Sequence, residues 1–197
     1  MKKGRKRGPI ELPTSVQLER ELKRVQHQKV YRRTLLSTVS VLVTVAAVTI
    51  LISMLVLPVL QIVGESMTPA LYNGEIAVAM KGSGFEKGDI IAFYYNNKIL
   101  IKRVIASAGE WVNIDQDGNV FINDVPLNEP YVEEKAFGDT NIELPYQVPD
   151  GKIFVMGDHR ATSSDSRNTA VGCVAQEQIV GRVLVRIWPF DKIGSIR

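Results

Sequence analysis

The chain has 197 residues, a formal net charge of +3 and one cysteine, Cys173. That length holds one domain of ordinary size plus a membrane segment, and a lone cysteine excludes an intramolecular disulfide, so any folded domain rests on its core alone. The charge is unevenly placed: residues 1–33 carry eleven Lys/Arg against Glu11, Glu19 and Glu21, a surplus of +8 that leaves −5 for the remainder. A basic head suits either nucleic acid or the cytoplasmic side of a membrane segment, and the residues that follow decide between them.

Between Arg33 and Glu65 there is no ionisable side chain, and Leu35–Leu60 is almost continuously apolar. About 20 such residues cross the hydrocarbon core of a bilayer, so residues 34–60 are expected to form a transmembrane anchor, with Pro58 stopping or kinking the helix. The long basic region before it argues for an uncleaved anchor over a signal peptide. By the positive-inside rule, residues 1–33 form a cytoplasmic head in a single-pass protein of the cell membrane, with residues 61–197 on the outer face. Within the head, residues 12–31 suit a short polar helix near anionic lipid. The partner is therefore the lipid bilayer and not nucleic acid.

Beyond the anchor, short apolar or alternating runs are separated by turn residues. They are 75–81, 89–95, 99–106, 110–115, 119–124, 152–157 and 178–188, each expected to be a strand. The Asp115–Asn119 break suits a hairpin turn, residues 175–179 a short helical turn, and residues 126–150 a long excursion with little regular structure. Many short strands with turn punctuation predict an all-β domain, a small sandwich or partly closed barrel.

Three segments of this body can carry chemistry. The first is GESMTPAL, residues 64–71, where Ser66 is either a capping residue in a turn or a nucleophile. The second is ILIKRVIASAGE, residues 99–110, which sets a lysine among branched aliphatics. Lys102 and Arg103 point to opposite faces of a strand, so that one can face solvent while the other lies among apolar neighbours. Such a lysine either snorkels to water or loses its proton and becomes a base. A neutral amine can activate a serine hydroxyl without histidine or aspartate, and His159 is the only histidine after the anchor. The third is GDHRATSSDSR, residues 157–167, readable as a solvated loop with surface ion pairs or as a hydrogen-bonded platform beneath the pair.

In this order behind an anchor, the three segments resemble the type I signal peptidases, the bacterial leader peptidase family with a serine–lysine dyad, over nearly all of residues 35–190. The resemblance implies an all-β catalytic domain in which Ser66 is the nucleophile, Lys102 its general base and an acyl-enzyme the intermediate. It also implies that Ser163 orients the lysine, that Asp165 and Arg167 form a supporting pair, and that the Ser66 N–H holds the oxyanion. Some relatives add a serine hydroxyl where this chain has Gly64, which leaves the second oxyanion donor open. His159, Ala106 and Glu110 stand where the family commonly has Asn, Gly and Asp. The implied substrates are exported preproteins cut after Ala-x-Ala-like sites, with Ile62, Met67, Leu71, Leu100 and Ile101 lining shallow pockets. No metal-ligand cluster or phosphate-binding glycine loop is apparent, so neither metal nor cofactor is expected. Rival readings are an inactive membrane-tethered assembly module of the same fold, a pilin-processing paralogue and a soluble self-cleaving repressor. The last requires a DNA-binding domain where this chain has its anchor.

Overall fold

The structure, a computed structural model, describes residues 14–196, so the basic cluster from Lys2 to Arg7 lies outside the described residues. The chain divides into two units, residues 1–52 and 53–197. The described part of the first is helical. Helix α1, Ser15–Val56, has 42 residues and an axial length of about 63 Å. The polar helix expected over 12–31 is thus the first part of a longer one. On that polar part Glu19 pairs with Lys23 and Glu21 with Arg24, each worth a few tenths of a kcal/mol. Further along, the hydroxyls of Thr38, Thr44 and Thr49 each donate to the carbonyl four residues earlier at 2.9 Å. These bonds satisfy the hydroxyls within the helix, as a non-aqueous surrounding requires. Among the described residues one helix is long and apolar enough to cross a membrane.

The helix ends two residues before Pro58, which has no N–H to continue the ladder. The freed carbonyls of Val56 and Pro58 accept from Lys81 and Ala79 at 3.0 Å, which leads the chain directly into a sheet. Strand β1, Val59–Gln61, therefore starts inside the stretch expected to be anchor.

Eleven more strands follow: β2 Ile76–Met80, β3 Ile90–Tyr95, β4 Lys98–Ala106, β5 Trp111–Ile114, β6 Val120–Ile122, β7 Val125–Pro126, β8 Tyr146–Gln147, β9 Lys152–Met156, β10 Val174–Ala175, β11 Ile179–Trp188 and β12 Gly194–Ser195. Each of the seven runs read from the sequence holds one strand, and Gln176–Gln178 forms the short helical turn. The strands missed by that reading have two or three residues, too few to show a period. An eight-stranded sheet runs β1-β2-β11-β3-β4-β9-β10 with β12 beside β11, and a four-stranded sheet runs β7-β6-β5-β8. The β5–β6 turn is held by Asp115, whose Oδ1 accepts the Asn119 N–H at 2.8 Å.

The larger sheet is buried on both faces. On β3, Ile90 and Ala92 join one apolar cluster while Ile91 and Phe93 join another. A third cluster unites Ile105, Phe154 and Met156 of the large sheet with Val112, Ile114, Val120 and Ile122 of the small one. β4 pairs with β3 along residues 98–103 but with β9 only from Arg103 onward. The other edge of residues 98–102 consequently has no strand partner among the described residues, and the candidate site lies along it.

β11 approaches β2 so closely that a Cβ on Gly181 would strike the Met80 carbonyl. Gly181→Ala is therefore expected to cost about 1–3 kcal/mol and to lower Tm by several degrees in a thermal melt of the detergent-solubilised chain. An unchanged Tm would contradict that approach.

Candidate active site

Ser66 lies in the turn between β1 and β2, and Lys102 lies on β4, 36 residues later in the chain. The fold brings the Lys102 Nζ to 2.6 Å from the Ser66 Oγ. The lysine is only 3 % exposed. It sits directly across from Ile91 and shares its sheet face with Leu100 and Val104, two residues away on either side. Burial lowers its pKa to about 8; Asp165 opposes this, Arg167 adds to it and Asp158 opposes it. Part of the amine is thus neutral at physiological pH, and a neutral amine accepts a proton from the hydroxyl beside it.

The nucleophile turn is held from both sides. The Ser66 carbonyl accepts the His159 N–H at 3.2 Å, while the Ser66 N–H makes no backbone hydrogen bond among the described residues. Gly64 has φ of +94°, a region costly to any residue with a Cβ. The glycine where some relatives carry a serine therefore matches the backbone geometry of this turn. Its N–H donates to the Asn73 Oδ1 at 3.0 Å.

In the loop after β9 the charged side chains Asp158, Arg160, Asp165 and Arg167 are buried, whereas Ala161, Thr162 and Ser164 are exposed. Asp165 accepts from the Arg167 Nε at 2.8 Å and Nη2 at 2.9 Å, and also from the Gly157 N–H at 3.0 Å. The Ser163 Oγ is buried without a hydrogen-bond partner among the described residues, so the bond expected between it and Lys102 is not formed. It lies against Gly157, where an added Cβ would strike both the Ser163 side chain and the Ser66 carbonyl.

Two cavities open on the pair. One of about 110 Å³ is lined by Ile62, Gly64, Ser66, Met67, Leu100, Ile101 and Lys102 among others. A wider one of about 690 Å³ also includes Ser66, Leu100 and Lys102 and extends to Tyr95, Lys98 and Ser164. Leu71, expected as a pocket residue, lines neither. Its N–H donates to the Met67 carbonyl at 2.8 Å, a helical turn whose curl sends the side chain into the core, where it is fully buried.

Sequence reasoning missed two buried ion pairs. Arg103 does not face solvent; its Nε and Nη2 donate to the two carboxylate oxygens of Asp158 at 2.8 and 2.6 Å, and its Nη1 to the Gly88 carbonyl at 2.6 Å. Arg160 pairs with Glu129 of the long excursion, both side chains fully buried. Strand alternation does send Lys102 and Arg103 to opposite faces, but both faces of this sheet are covered. The one available signal was that Asp158 and Arg160 sit beside Gly157 directly after an apolar strand.

The family described as "Signal peptidase, peptidase S26" matches residues 35–188, and the chain belongs to that family. Thylakoidal processing peptidase 1, chloroplastic, of Arabidopsis thaliana is 36% identical over 152 residues, covering 68% of this chain and 43% of the plant protein. Signal peptidase IB of Staphylococcus aureus (strain COL) is 36% identical over 149 residues, covering 66% of this chain and 76% of the relative. The chain thus spans less than half the length of the first and about three quarters of the second. A solved signal peptidase I from Enterococcus faecalis V583 matches at 30% identity with a TM-score of 0.43, covering 51% of this chain and 97% of that one.

Gly157→Ala is expected to push apart the Ser163 side chain and the Ser66 carbonyl, displacing the nucleophile. Displacements of about 1 Å cost on the order of 10²-fold in rate, so labelling of Ser66 by a serine-directed phosphonate should slow by about that factor. Labelling at the parent rate would show that the loop yields without moving the serine.

Proposed function

We propose that this chain is a membrane-bound serine endopeptidase that removes signal peptides from exported preproteins, with Ser66 as nucleophile and Lys102 as general base. The observation that carries this reading is the 2.6 Å approach of the Lys102 amine to the Ser66 hydroxyl, combined with the burial that lowers the amine's pKa to about 8. Membership of the signal peptidase family and the names of the plant and staphylococcal relatives support the substrate class.

In this reading a preprotein binds as an extended strand along the open edge of residues 98–102, taking its register from main-chain hydrogen bonds. Small side chains near the scissile bond enter the cavity of about 110 Å³ beside Met67 and Ile101. Neutral Lys102 takes the hydroxyl proton as the Ser66 Oγ attacks the scissile carbonyl. The oxyanion forms at the Ser66 N–H, and the resulting ammonium returns its proton to the leaving amine. Water, deprotonated by the same amine, then cleaves the acyl-enzyme and frees Ser66. The Ser163 hydroxyl, packed at Gly157 near the Ser66 carbonyl and unbonded in this structure, turns to bond the amine only as the proton is taken up and released, while Asp165 and Arg167 hold the loop beneath. No metal or cofactor enters the reaction. The basic head lies in the cytoplasm, and the β domain lies at the outer face, where a preprotein's own apolar segment still spans the bilayer.

Ser66→Ala and Lys102→Arg are each expected to lower kcat for an Ala-x-Ala preprotein in detergent by about 10³-fold or more. Arginine keeps a positive charge but cannot shed its proton, so an active Lys102→Arg enzyme would refute the base role. The neutral amine is the working form, so kcat/KM should rise with pH to a midpoint near 8 and hold a plateau above it. A midpoint near the ordinary lysine value of about 10.4 would show that burial does not tune this group. EDTA should leave the rate unchanged. Protease added outside intact cells should reach residues after 65 and spare the head.

A further inference from the structure

Three guanidinium groups, of Arg103, Arg160 and Arg167, are buried behind Ser66 and Lys102. A buried charge of this kind needs a hydrogen-bonded counter-charge. Asp158 and Asp165 supply two of them from the same loop that carries Arg160 and Arg167. The third comes from elsewhere. Glu129, in the irregular stretch after β7, accepts from the Arg160 Nη1 at 3.2 Å and from its Nη2 at 2.5 Å. Two residues on, the Tyr131 ring lies under Arg103, 3.9 Å from its guanidinium carbon to the ring centre. Further along the same stretch, the carbonyls of Ala136 and Phe137 accept from the Arg167 Nη1 at 3.2 and 3.0 Å. Residues 129–137 thus touch every one of the three arginines from outside.

On their inner side the same arginines reach the reacting groups in one or two steps. The Arg160 Nε donates to the Gly157 carbonyl at 3.0 Å, and two residues on the His159 N–H holds the Ser66 carbonyl. Arg103 follows Lys102 on β4 and ties that strand to Asp158. We propose that residues 129–137 are a strap, with Glu129 and Tyr131 as positioning residues that set Ser66 against Lys102 through Arg160 and Arg103. This rests on the reading of Ser66 and Lys102 as the catalytic pair.

A buried ion pair contributes little net stability and can be exchanged for apolar residues of similar volume. A purely structural Glu129–Arg160 pair is therefore replaceable without loss of turnover, whereas a positioning pair is not. The test uses the full chain in detergent with an Ala-x-Ala peptide, measuring kcat, KM and Tm. Glu129→Leu combined with Arg160→Met is expected to keep Tm within a few degrees and KM within about twofold, while kcat falls about 10²-fold because the Gly157 carbonyl has lost its donor. Tyr131→Phe, which keeps a ring under Arg103, should hold kcat within about twofold; Tyr131→Leu should lose roughly tenfold at unchanged KM. Parent kcat in the double variant, or equal kcat in the two Tyr131 variants, overturns the proposal. Should the double variant fail to fold, the Tyr131 comparison decides it alone. Lys102→Arg run in parallel separates the two levels: its full activity removes the catalytic pair itself, whereas an inactive Lys102→Arg beside a fully active double variant removes only the strap.

Discussion

An amine buried with no carboxylate bonded to it is the constraint on which the site depends. Around Lys102 the interior holds three guanidinium groups and three carboxylates, matched as Arg103 with Asp158, Arg160 with Glu129 and Arg167 with Asp165. Each of these arginines has a carboxylate sharing the interior with it. Lys102 has only a hydroxyl beside it. Desolvation therefore outweighs the attraction of Asp165 and Asp158, and the pKa of the amine falls from the ordinary lysine value to about 8. If an acid were placed within hydrogen-bond reach, the same burial would fix an ammonium that cannot act as a base.

Such a site needs a rigid frame, since the amine must stay dry and within reach of the hydroxyl. Lys102 sits on β4, bonded to β3 on one side and followed at once by Arg103, which anchors the strand to Asp158. Ser66 sits on a turn whose backbone is held by Asn73 at Gly64 and by His159 at the Ser66 carbonyl. The glycines belong to this frame for different reasons. Gly64 answers a backbone angle, whereas Gly157 answers a lack of room between the Ser163 side chain and the Ser66 carbonyl. The edge of residues 98–102 on β4 is the complement of this rigidity, a stretch with no strand partner among the described residues on that side.

The anchor and the domain meet physical demands of different kinds. In α1 the hydroxyls of Thr38, Thr44 and Thr49 turn back to helix carbonyls, so these three need no water along the apolar stretch. In the β domain polar groups are buried in large number, but each of the three buried arginines is paired with a carboxylate. Pro58 marks the change of regime: past it the chain bonds to β2 and no longer to itself.

Periodicity and composition were enough to read an apolar helix (though not its continuity with the polar segment before it), the seven longer strands, the β5–β6 turn and the all-β class, because each is written in residues close together in the chain. The sequence also singled out Ser66 and Lys102, since a lysine among branched aliphatics is conspicuous before any fold is known. What lies far apart in the chain was decided by the tertiary structure. The fate of Arg103 depended on whether the second face of β4 was covered, and strand alternation carries no information about a second sheet. Asp158 and Arg160 were readable either as surface charges or as part of a platform, because nothing local shows that Glu129 and Tyr131 pack against Arg160 and Arg103. Leu71 went to the core because the turn after Met67 curls, and Glu129 was hidden in a stretch with no period at all. Local patterns record which residues want burial; which partner meets a buried charge is settled only when the chain has closed on itself.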